Sequence, residues 1–318
     1  MVNRGANKRM VLRHNKKGMF FTILVISLLS LFIMSYSFYF VSQDREATNK
    51  RVKTMNNFVF SIEKDLPRQV YISGFRMIFL LERKITETGN YIADLNNSVE
   101  ELFFNGTINN ESQELMNGAK LVDIKNSLNE KAQKINANVT ISNSSIIVSQ
   151  ENPWEVKFVL KSNLFIADRS NLVMWNKTLI IIANIPIENF EDPLYIISTN
   201  GLVTNKINKT SYTNFTQGVD VTNLLAHVKS QNYIASALAP SFLDRLQGKL
   251  SANPNGIESL VYLPKLSAQG IAVNDKSVVD YIYFSNNNPA VHNIQGMQPW
   301  FKIDDAHLNV YQVGGLII

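Results

Sequence analysis

The sequence predicts an α+β protein. A long N-terminal transmembrane helix continues into helices packed on an antiparallel β-sheet, and a smaller mixed C-terminal region follows. Three observations predict this class: an uncharged apolar stretch over 19–41, apolar residues at helical spacing to about residue 135, and period-two alternation over 139–185. A sheet with one apolar face needs a cover, and the preceding amphipathic helices are the candidates.

The composition allows a sizeable core and excludes several chemistries. Hydrophobic residues make up 45% of the 318 residues and charged residues 18%, so the chain is not disordered by composition. The absence of cysteine excludes disulfides, thiolate metal sites and thiol nucleophiles. The net charge of +5 arises in residues 1–43, which hold six basic and no acidic residues; 25 basic and 26 acidic residues follow. We therefore expect no nucleic-acid partner.

Residues 19–41 are predicted to form the transmembrane helix. A helix of this length spans roughly 35 Å, and the hydrocarbon core of a bilayer is about 30 Å thick. Four aromatic residues gather at its C-terminal end, as is typical of a membrane interface: Tyr36, Phe38, Tyr39 and Phe40. The basic residues before Met19 predict a cytoplasmic N-terminus, with the chain from residue 44 onward outside the cell. The alternative is a secretory signal peptide cleaved near Ser35-Tyr36-Ser37.

The flank of this helix carries a sharper feature. Lys16, Lys17 and Gly18 directly precede the apolar stretch. This arrangement resembles the class III (prepilin-type) signal of archaeal pilin-like proteins, in which a membrane peptidase cuts after such a glycine. The resemblance implies that residues 1–18 are a leader, with Gly18 its last residue. The sequence departs from the family at Ile23, where bacterial pilins carry Glu, and at Phe21, where archaeal pilins commonly carry Gln. An ordinary N-terminal anchor is the alternative.

The apolar spacing predicts further helices over 42–137. A stripe spaced 4, 3, 4, 3 and 4 residues apart predicts an unbroken helix to Leu66: Thr48, Val52, Met55, Val59, Ile62 and Leu66. Pro67 is expected to end, kink or restart it. A second stripe runs to Gly89, a helix stop: Tyr71, Phe75, Ile78, Leu81 or Glu82, and Ile85. Short helical fragments over 90–118 and an amphipathic helix over 121–135 complete this region.

Strands are predicted next, within 138–190. The alternation covers Val139–Val148, Trp154–Leu160 and Trp175–Ile185. The last region, 191–318, is predicted to be mixed α/β, because eight of the nine prolines follow residue 150 and turns separate short elements. There we expect a helix from Phe242, capped by Ser241, and a strand over 278–284.

Few residues are arranged for chemistry. The four histidines lack metal-ligand spacing, and neither a nucleophile elbow nor a phosphate-binding glycine loop occurs. The compact cluster of Asp304, Asp305 and His307 fits a metal or general-base role, but the sequence favours a solvated turn or helix start. Three tryptophans fit either a sugar-binding platform or, as the apolar settings favour, the core: Trp154, Trp175 and Trp300. We expect no catalytic residue, no metal and no cofactor.

Asparagine-x-serine/threonine sequons are a further feature of the predicted exterior. There are eight, and all fall within 96–214: Asn96, Asn105, Asn110, Asn138, Asn143, Asn176, Asn208 and Asn214. Such sequons are acceptors for N-glycosylation on secreted chains. We therefore take these eight asparagines as candidate modification sites.

Four later segments carry a second resemblance: Phe190–Tyr195, Thr199–Leu202, Asn253–Val261 and Asp275–Tyr281. They are similar to blocks in uncharacterised archaeal membrane-anchored surface proteins with the same prepilin-type N-terminus. The resemblance implies a pilin-like topology and a surface role. It also implies the lipid bilayer, a prepilin-type peptidase and other pilin-like subunits as partners, and no catalytic residue.

The sequence therefore favours a membrane-anchored cell-surface structural or adhesion protein, a minor pilin-like subunit and not an enzyme. The alternative is a membrane-tethered binding or sensory domain. It would work with a partner, because 18 cytoplasmic residues cannot house a signalling domain. A tethered hydrolase, based on Asp304 and His307, comes third.

Overall fold

The computed structural model describes residues 16–170 and 172–318. They form two compact units, one ending at Asn57 and one running from Phe58 to Ile318. Helix α1, Lys16–Thr88, belongs to both and contains Pro67 without ending there. A proline inside a helix removes one hydrogen bond. Leu66 and Val70 are both buried on either side of it, and this packing holds the helix together across the defect.

Burial along α1 confirms the first predicted stripe in part. Every residue from Gly18 to Ala47 is exposed. Met55, Val59, Ile62 and Leu66 are buried, whereas Val52 is exposed.

The second stripe is confirmed in its later part, where Ile78, Leu81 and Ile85 are buried as predicted. Its start was predicted in the wrong phase, because Tyr71 and Phe75 are exposed and Val70 and Met77 are buried instead. Gly74 explains the phase, because a Cβ built on it would lie 2.3 Å from Ile185 Cδ1 and 2.9 Å from Phe158 Cδ2. The glycine faces the sheet and allows the helix to approach it closely.

Two helices and a small hairpin follow α1. Helix α2 is Leu95–Asn105, strands β1 and β2 are Thr107–Ile108 and Glu111–Ser112, and α3 is Leu121–Gln133. The Asp94 carboxylate caps α2 by accepting from the amide of Asn97 at 3.0 Å, and Gly106 ends the helix in the left-handed conformation. Both α2 and α3 pack on the first strand of the large sheet.

The large sheet is the predicted antiparallel one. Its strands are β3 (Ala137–Asn152), β4 (Glu155–Asp168) and β5 (Met174–Pro186), in the order β3-β4-β5. Alternate residues are buried beneath the helices, as in Val156, Phe158 and Leu160 of β4. The opposite face is open. The predicted α+β class, with helices on one face of an antiparallel sheet, is confirmed.

The C-terminal region consists of short elements around a second core. Its helices are α4 (Pro193–Ser198), α5 (Thr222–Ser230), α6 (Phe242–Leu246), α7 (Leu263–Ala268) and α8 (Asp280–Tyr283). Its strands pair as two antiparallel ladders, β6 (Tyr233–Ala235) with β7 (Ile257–Ser259) and β8 (Val291–Asn293) with β9 (Lys302–Asp304).

Two local predictions in this region have opposite outcomes. Ser241 caps α6 as predicted, with its hydroxyl accepting from the amide of Asp244 at 3.2 Å. The strand predicted over 278–284 is wrong. Val279 is extended, but the chain then turns into α8, because the Asp280 side chain accepts hydrogen bonds from Arg245 and Ser259.

Candidate functional site

The apolar part of α1 is the first candidate site. The helix is long and apolar enough to cross a membrane, and its most apolar 18-residue window is 0% buried. A core helix of a soluble protein passes the same test of length and apolarity, but it is mostly buried. The exposure of this window therefore leaves a membrane anchor or a signal sequence.

Gly18 lies in the first turn of this helix, after Lys16 and Lys17. No atom lies within 4 Å of a Cβ built on Gly18. The Gly18 backbone oxygen accepts a hydrogen bond from the Thr22 hydroxyl at 2.7 Å, one helical turn ahead. The side chains of Lys16 and Lys17 lie outside the described part of the chain.

All eight sequon asparagines are exposed: Asn96, Asn105, Asn110, Asn138, Asn143, Asn176, Asn208 and Asn214. Two of them, Asn138 on β3 and Asn176 on β5, lie on the face of the sheet that the helices leave open. Asn143 lies at an irregularity in β3, between Ser142 and Ser145, with a φ of 48°. Every predicted modification site is therefore sterically accessible in the folded chain.

A buried ionic cluster is the main feature that sequence reasoning missed. Arg245 Nη1 lies 2.6 Å from Asp192 Oδ2 and 3.0 Å from Asp280 Oδ2, and all three side chains are fully buried. Tyr233 donates to Asp192 at 2.8 Å, and the Ser259 hydroxyl donates to Asp280 at 2.8 Å. Burial alone lowers the pKa of Arg245, but the two carboxylates raise it above its ordinary value.

Three of the four segments that carry the second resemblance meet at this cluster. Asp192 comes from Phe190–Tyr195, Ser259 from Asn253–Val261, and Asp280 from Asp275–Tyr281. Thr199, from the fourth segment, is buried and donates to the backbone oxygen of Tyr195 at 2.7 Å. Three of these blocks therefore share a structural task, which is to surround one buried arginine.

Asp304 and His307 lie at a helix start, as one of the two favoured interpretations had it, because Asp304 caps the 3₁₀ turn Asp305–His307; the pair is not solvated. Both are buried, and His307 Nδ1 lies 2.7 Å from Asp304 Oδ1. His307 Nε2 lies 3.1 Å from the Tyr281 hydroxyl and 3.4 Å from Glu258 Oε2. Asp305 is exposed and pairs instead with His292 at 2.7 Å. Asp304 ends strand β9 and His307 ends the short turn after it, so the two side chains are buried together in the C-terminal region.

This geometry argues against a general base at His307. Burial lowers its pKa, but the hydrogen bond to Asp304 and the nearby Glu258 carboxyl group outweigh burial and raise the pKa to about 9. The imidazole is therefore mainly protonated at neutral pH and serves as the counter-charge of two carboxylates. Within 16–170 and 172–318, no three His, Asp or Glu side chains are placed to hold a metal ion.

The cluster predicts how stability depends on pH. A pKa that is raised on folding contributes stability below the unfolded value of 6.5, and this contribution is lost as the pH rises through about 9. We expect His307→Gln to be less stable than wild type at pH 6 by on the order of 3 kcal/mol, and the difference to shrink by pH 9.5. Urea unfolding of the full chain in detergent measures both values.

The wild-type pH profile alone does not identify His307, because the raised pKa of Glu82 also lowers the stability of the protein as the pH rises towards about 9. The profiles of variants are therefore compared. The matched control is His292→Gln, which removes a half-exposed histidine paired with Asp305. This control is expected to keep the wild-type pH profile. A His307→Gln profile parallel to wild type would contradict the assignment.

The tryptophans form neither a platform nor a fully buried set. Trp154, Trp175 and Trp300 are all half-buried and lie in separate parts of the fold. Trp300 packs edge-to-face on Tyr262, with ring centroids 5.5 Å apart, and Lys209 Nζ lies 5.4 Å from the ring of Trp154.

The chain matches no protein-family model, no curated protein and no solved structure. An inference about the class of protein must therefore be drawn from helix α1, the β3-β4-β5 sheet and the exposed sequons.

Proposed function

We propose that this chain is a membrane-anchored cell-surface structural or adhesion protein, a pilin-like subunit rather than an enzyme. The observation that carries the proposal is helix α1. Its first part is apolar and unburied, and its second part packs on one face of a three-stranded antiparallel sheet. One helix thus supplies both a hydrophobic anchor and the spine of the exterior fold.

The exposed sequons and the buried ion pairs support the same proposal. Eight accessible asparagines suit an exterior surface that carries glycans. The charged and polar side chains that sequence patterns single out as chemical, Asp304 and His307, are buried and paired with each other. Both also line a groove of about 460 Å³, but their polar atoms are engaged by each other and by the Tyr281 hydroxyl.

Ile23 favours a minor subunit over a main filament subunit. In bacterial pilins, a glutamate at this position pairs with the N-terminus of a neighbouring subunit. Ile23 offers no charge for such a pair. The apolar stretch then remains in the bilayer, because exposing its large side chains to water costs about 1.5–3 kcal/mol each.

A second candidate, a membrane-tethered binding domain, is favoured by one observation. A groove beside α1 holds a buried glutamate, Glu82, with an unpartnered oxygen.

The processing site is the sharpest test of the pilin-like proposal. In a host that has a prepilin-type peptidase, we expect mature wild type to begin at Met19 and Gly18→Phe to remain uncut, because the peptidase needs a small residue before the cut. Intact-mass and N-terminal peptide mass spectrometry distinguish the two products. Gly5→Phe changes a glycine distant from the apolar stretch and should be processed normally.

A mature N-terminus other than Met19 would indicate a different class of protein. A mature wild type that begins at Met1 or Val2 would be an ordinary anchored protein and would contradict the pilin-like proposal. A mature N-terminus near Ser37 would identify a secretory signal peptide instead.

A further inference from the structure

A groove of about 560 Å³ lies beside helix α1 in the unit formed by residues 58–318. Its size is within the range of small-molecule sites in proteins. One wall is α1, with Phe75, Phe79 and Glu82, and the other is the segment after β5, with Glu188, Phe190 and Glu191. Two separate elements therefore converge on it.

Glu82 is the unusual residue of this groove. Only 7% of it is exposed, and its Oε1 has no hydrogen-bond partner. A buried polar atom without a partner costs folding free energy, and an apolar side chain at this position would avoid that cost. The Glu191 amide donates to the Glu82 carboxyl group, but this bond leaves Oε1 without a partner, and a ligand in the groove would supply one.

The phenylalanine side chains on the α1 side of the groove are partly uncovered. Phe75 and Phe79 are one helical turn apart, and they are 46% and 45% exposed. The ring of Phe75 packs on Phe190, with centroids 5.2 Å apart, and so is held in place. Exposed aromatic faces beside a carboxyl group suit a ligand that has an apolar body and a positive charge.

The other charges at the groove are nearly balanced. Glu188 and Glu191 are acidic, and Arg83 and Lys206 are basic. Arg83 is also engaged by Glu87, at 3.5 Å, and by Gln113. Once Glu82 ionises, the groove carries three carboxylates against two cations, which complements a single positive charge.

We propose that this groove binds a small organic cation with an apolar body, whose guanidinium or ammonium group pairs with the Glu82 carboxylate. A guanidinium group presents parallel N–H donors that match the two oxygens of a carboxylate. The phenylalanine rings contact the apolar body. An anion would face Glu188, Glu191 and Glu82 together, and a neutral ligand would leave the charge of Glu82 unmatched.

The protonation state of Glu82 makes the affinity of the groove for a cation depend on pH. Burial raises the pKa of Glu82 to about 9; Glu191 and Asp192 contribute in the same direction, and the Glu191 amide opposes them. At neutral pH the group is therefore mainly a neutral acid, and a cation that pairs with its ionised form must displace a proton. Affinity for a permanently charged cation consequently rises with pH until about 9.

The test uses the full chain in detergent micelles, with phenethylguanidinium as the probe, because a guanidinium stays charged over this range. We expect isothermal titration to show about tenfold tighter binding at pH 8 than at pH 7, with release of close to one proton per cation. The uncharged analogue phenethylurea should bind more weakly than the cation at pH 8 and without pH dependence.

Two variants separate Glu82 from the rim. Glu82→Gln keeps the shape of the neutral acid, so the fold should be retained, as near-ultraviolet circular dichroism would show, while the pH dependence of probe binding is lost. Glu188→Gln removes an exposed carboxylate at the rim and should keep that dependence.

Three outcomes would overturn the proposal: no probe binding at pH 8, equal affinity at pH 7 and pH 8, or the same pH dependence in Glu82→Gln as in wild type. Partition of the probe into detergent is identical for all variants and cancels in the comparison. None of these outcomes depends on whether Gly18 is processed, so this site and the pilin-like proposal stand or fall separately.

Discussion

Arg245→Met is expected to destabilise the chain by about 3–5 kcal/mol, because it leaves Asp192 and Asp280 buried without their counter-charge. Globular domains have total stabilities of about 5–15 kcal/mol, so this is a large fraction of the whole. The guanidinium also donates to the backbone oxygen of Ile257, which would lose its partner. Urea unfolding of the full chain in detergent, followed by tryptophan fluorescence, measures the loss.

The control for this change is Arg68→Met, which removes an arginine that is 71% exposed and lies 3.4 Å from Asp65. Surface pairs of this kind contribute about 0–1 kcal/mol. The triple variant Asp192→Asn, Arg245→Met and Asp280→Asn removes both stranded charges and should recover part of the loss. If Arg245→Met costs no more than Arg68→Met, the arginine is not the counter-charge that the geometry indicates.

The large elements were predictable because each depends on a local pattern. The charge-free stretch from Met19 to Val41 defines the anchor by length alone. The three strands follow from alternation with period two, since each strand has one face under helices and one face open. The cap at Ser241 was predictable for the same reason, because capping involves residues only three positions apart.

The phase of α1 after Pro67 depended on a tertiary contact. By hydrophobicity alone, Tyr71 and Phe75 are better core residues than Ser73 and Gly74. The close approach of Phe158 and Ile185 leaves no room for a side chain at position 74, and Phe75 is exposed at the groove instead. Periodicity does not register such a contact, because the partner strand is more than 80 residues away.

The buried ionic cluster was hidden for a similar reason. Arg245 is 53 residues from Asp192 and 35 residues from Asp280, and each looks like an ordinary surface charge in its own segment. The Asp304 and His307 pair was visible as a sequence cluster, but its burial was not. The only earlier signal was the resemblance of the segments that contain Asp192, Ser259 and Asp280.

One of these segments also contains a tightly packed turn, Asn253–Gly256. The turn Asn253–Gly256 precedes β7, which supplies Ser259 to the cluster. In this turn the backbone amide of Asn253 donates to the backbone oxygen of Ala239 at 2.9 Å. The Ser236 amide donates to the backbone oxygen of Gly256 at 3.0 Å. The turn and the 236–240 loop are thereby fixed against each other.

Gly256→Ala is expected to cost about 3 kcal/mol or more, at the upper end of what overpacking costs. A Cβ at this position would lie 2.0 Å from the backbone oxygen of Ala239 and 2.4 Å from that of Ser236. Both neighbours are backbone atoms held by the hydrogen bonds of the turn, so neither moves without breaking one. Thermal unfolding of the full chain in detergent, followed by near-ultraviolet circular dichroism, measures the effect.

Gly315→Ala is the matched control. No atom lies within 4 Å of a Cβ built there, and the residue does not have a left-handed φ. Its effect should remain within about 0.5 kcal/mol, as for a surface substitution. A Gly256→Ala chain that unfolds at the same temperature as Gly315→Ala would mean that the loop over 236–240 yields freely. The close packing of the turn on the 236–240 loop, which positions Ser259 against Asp280, would then not depend on this glycine.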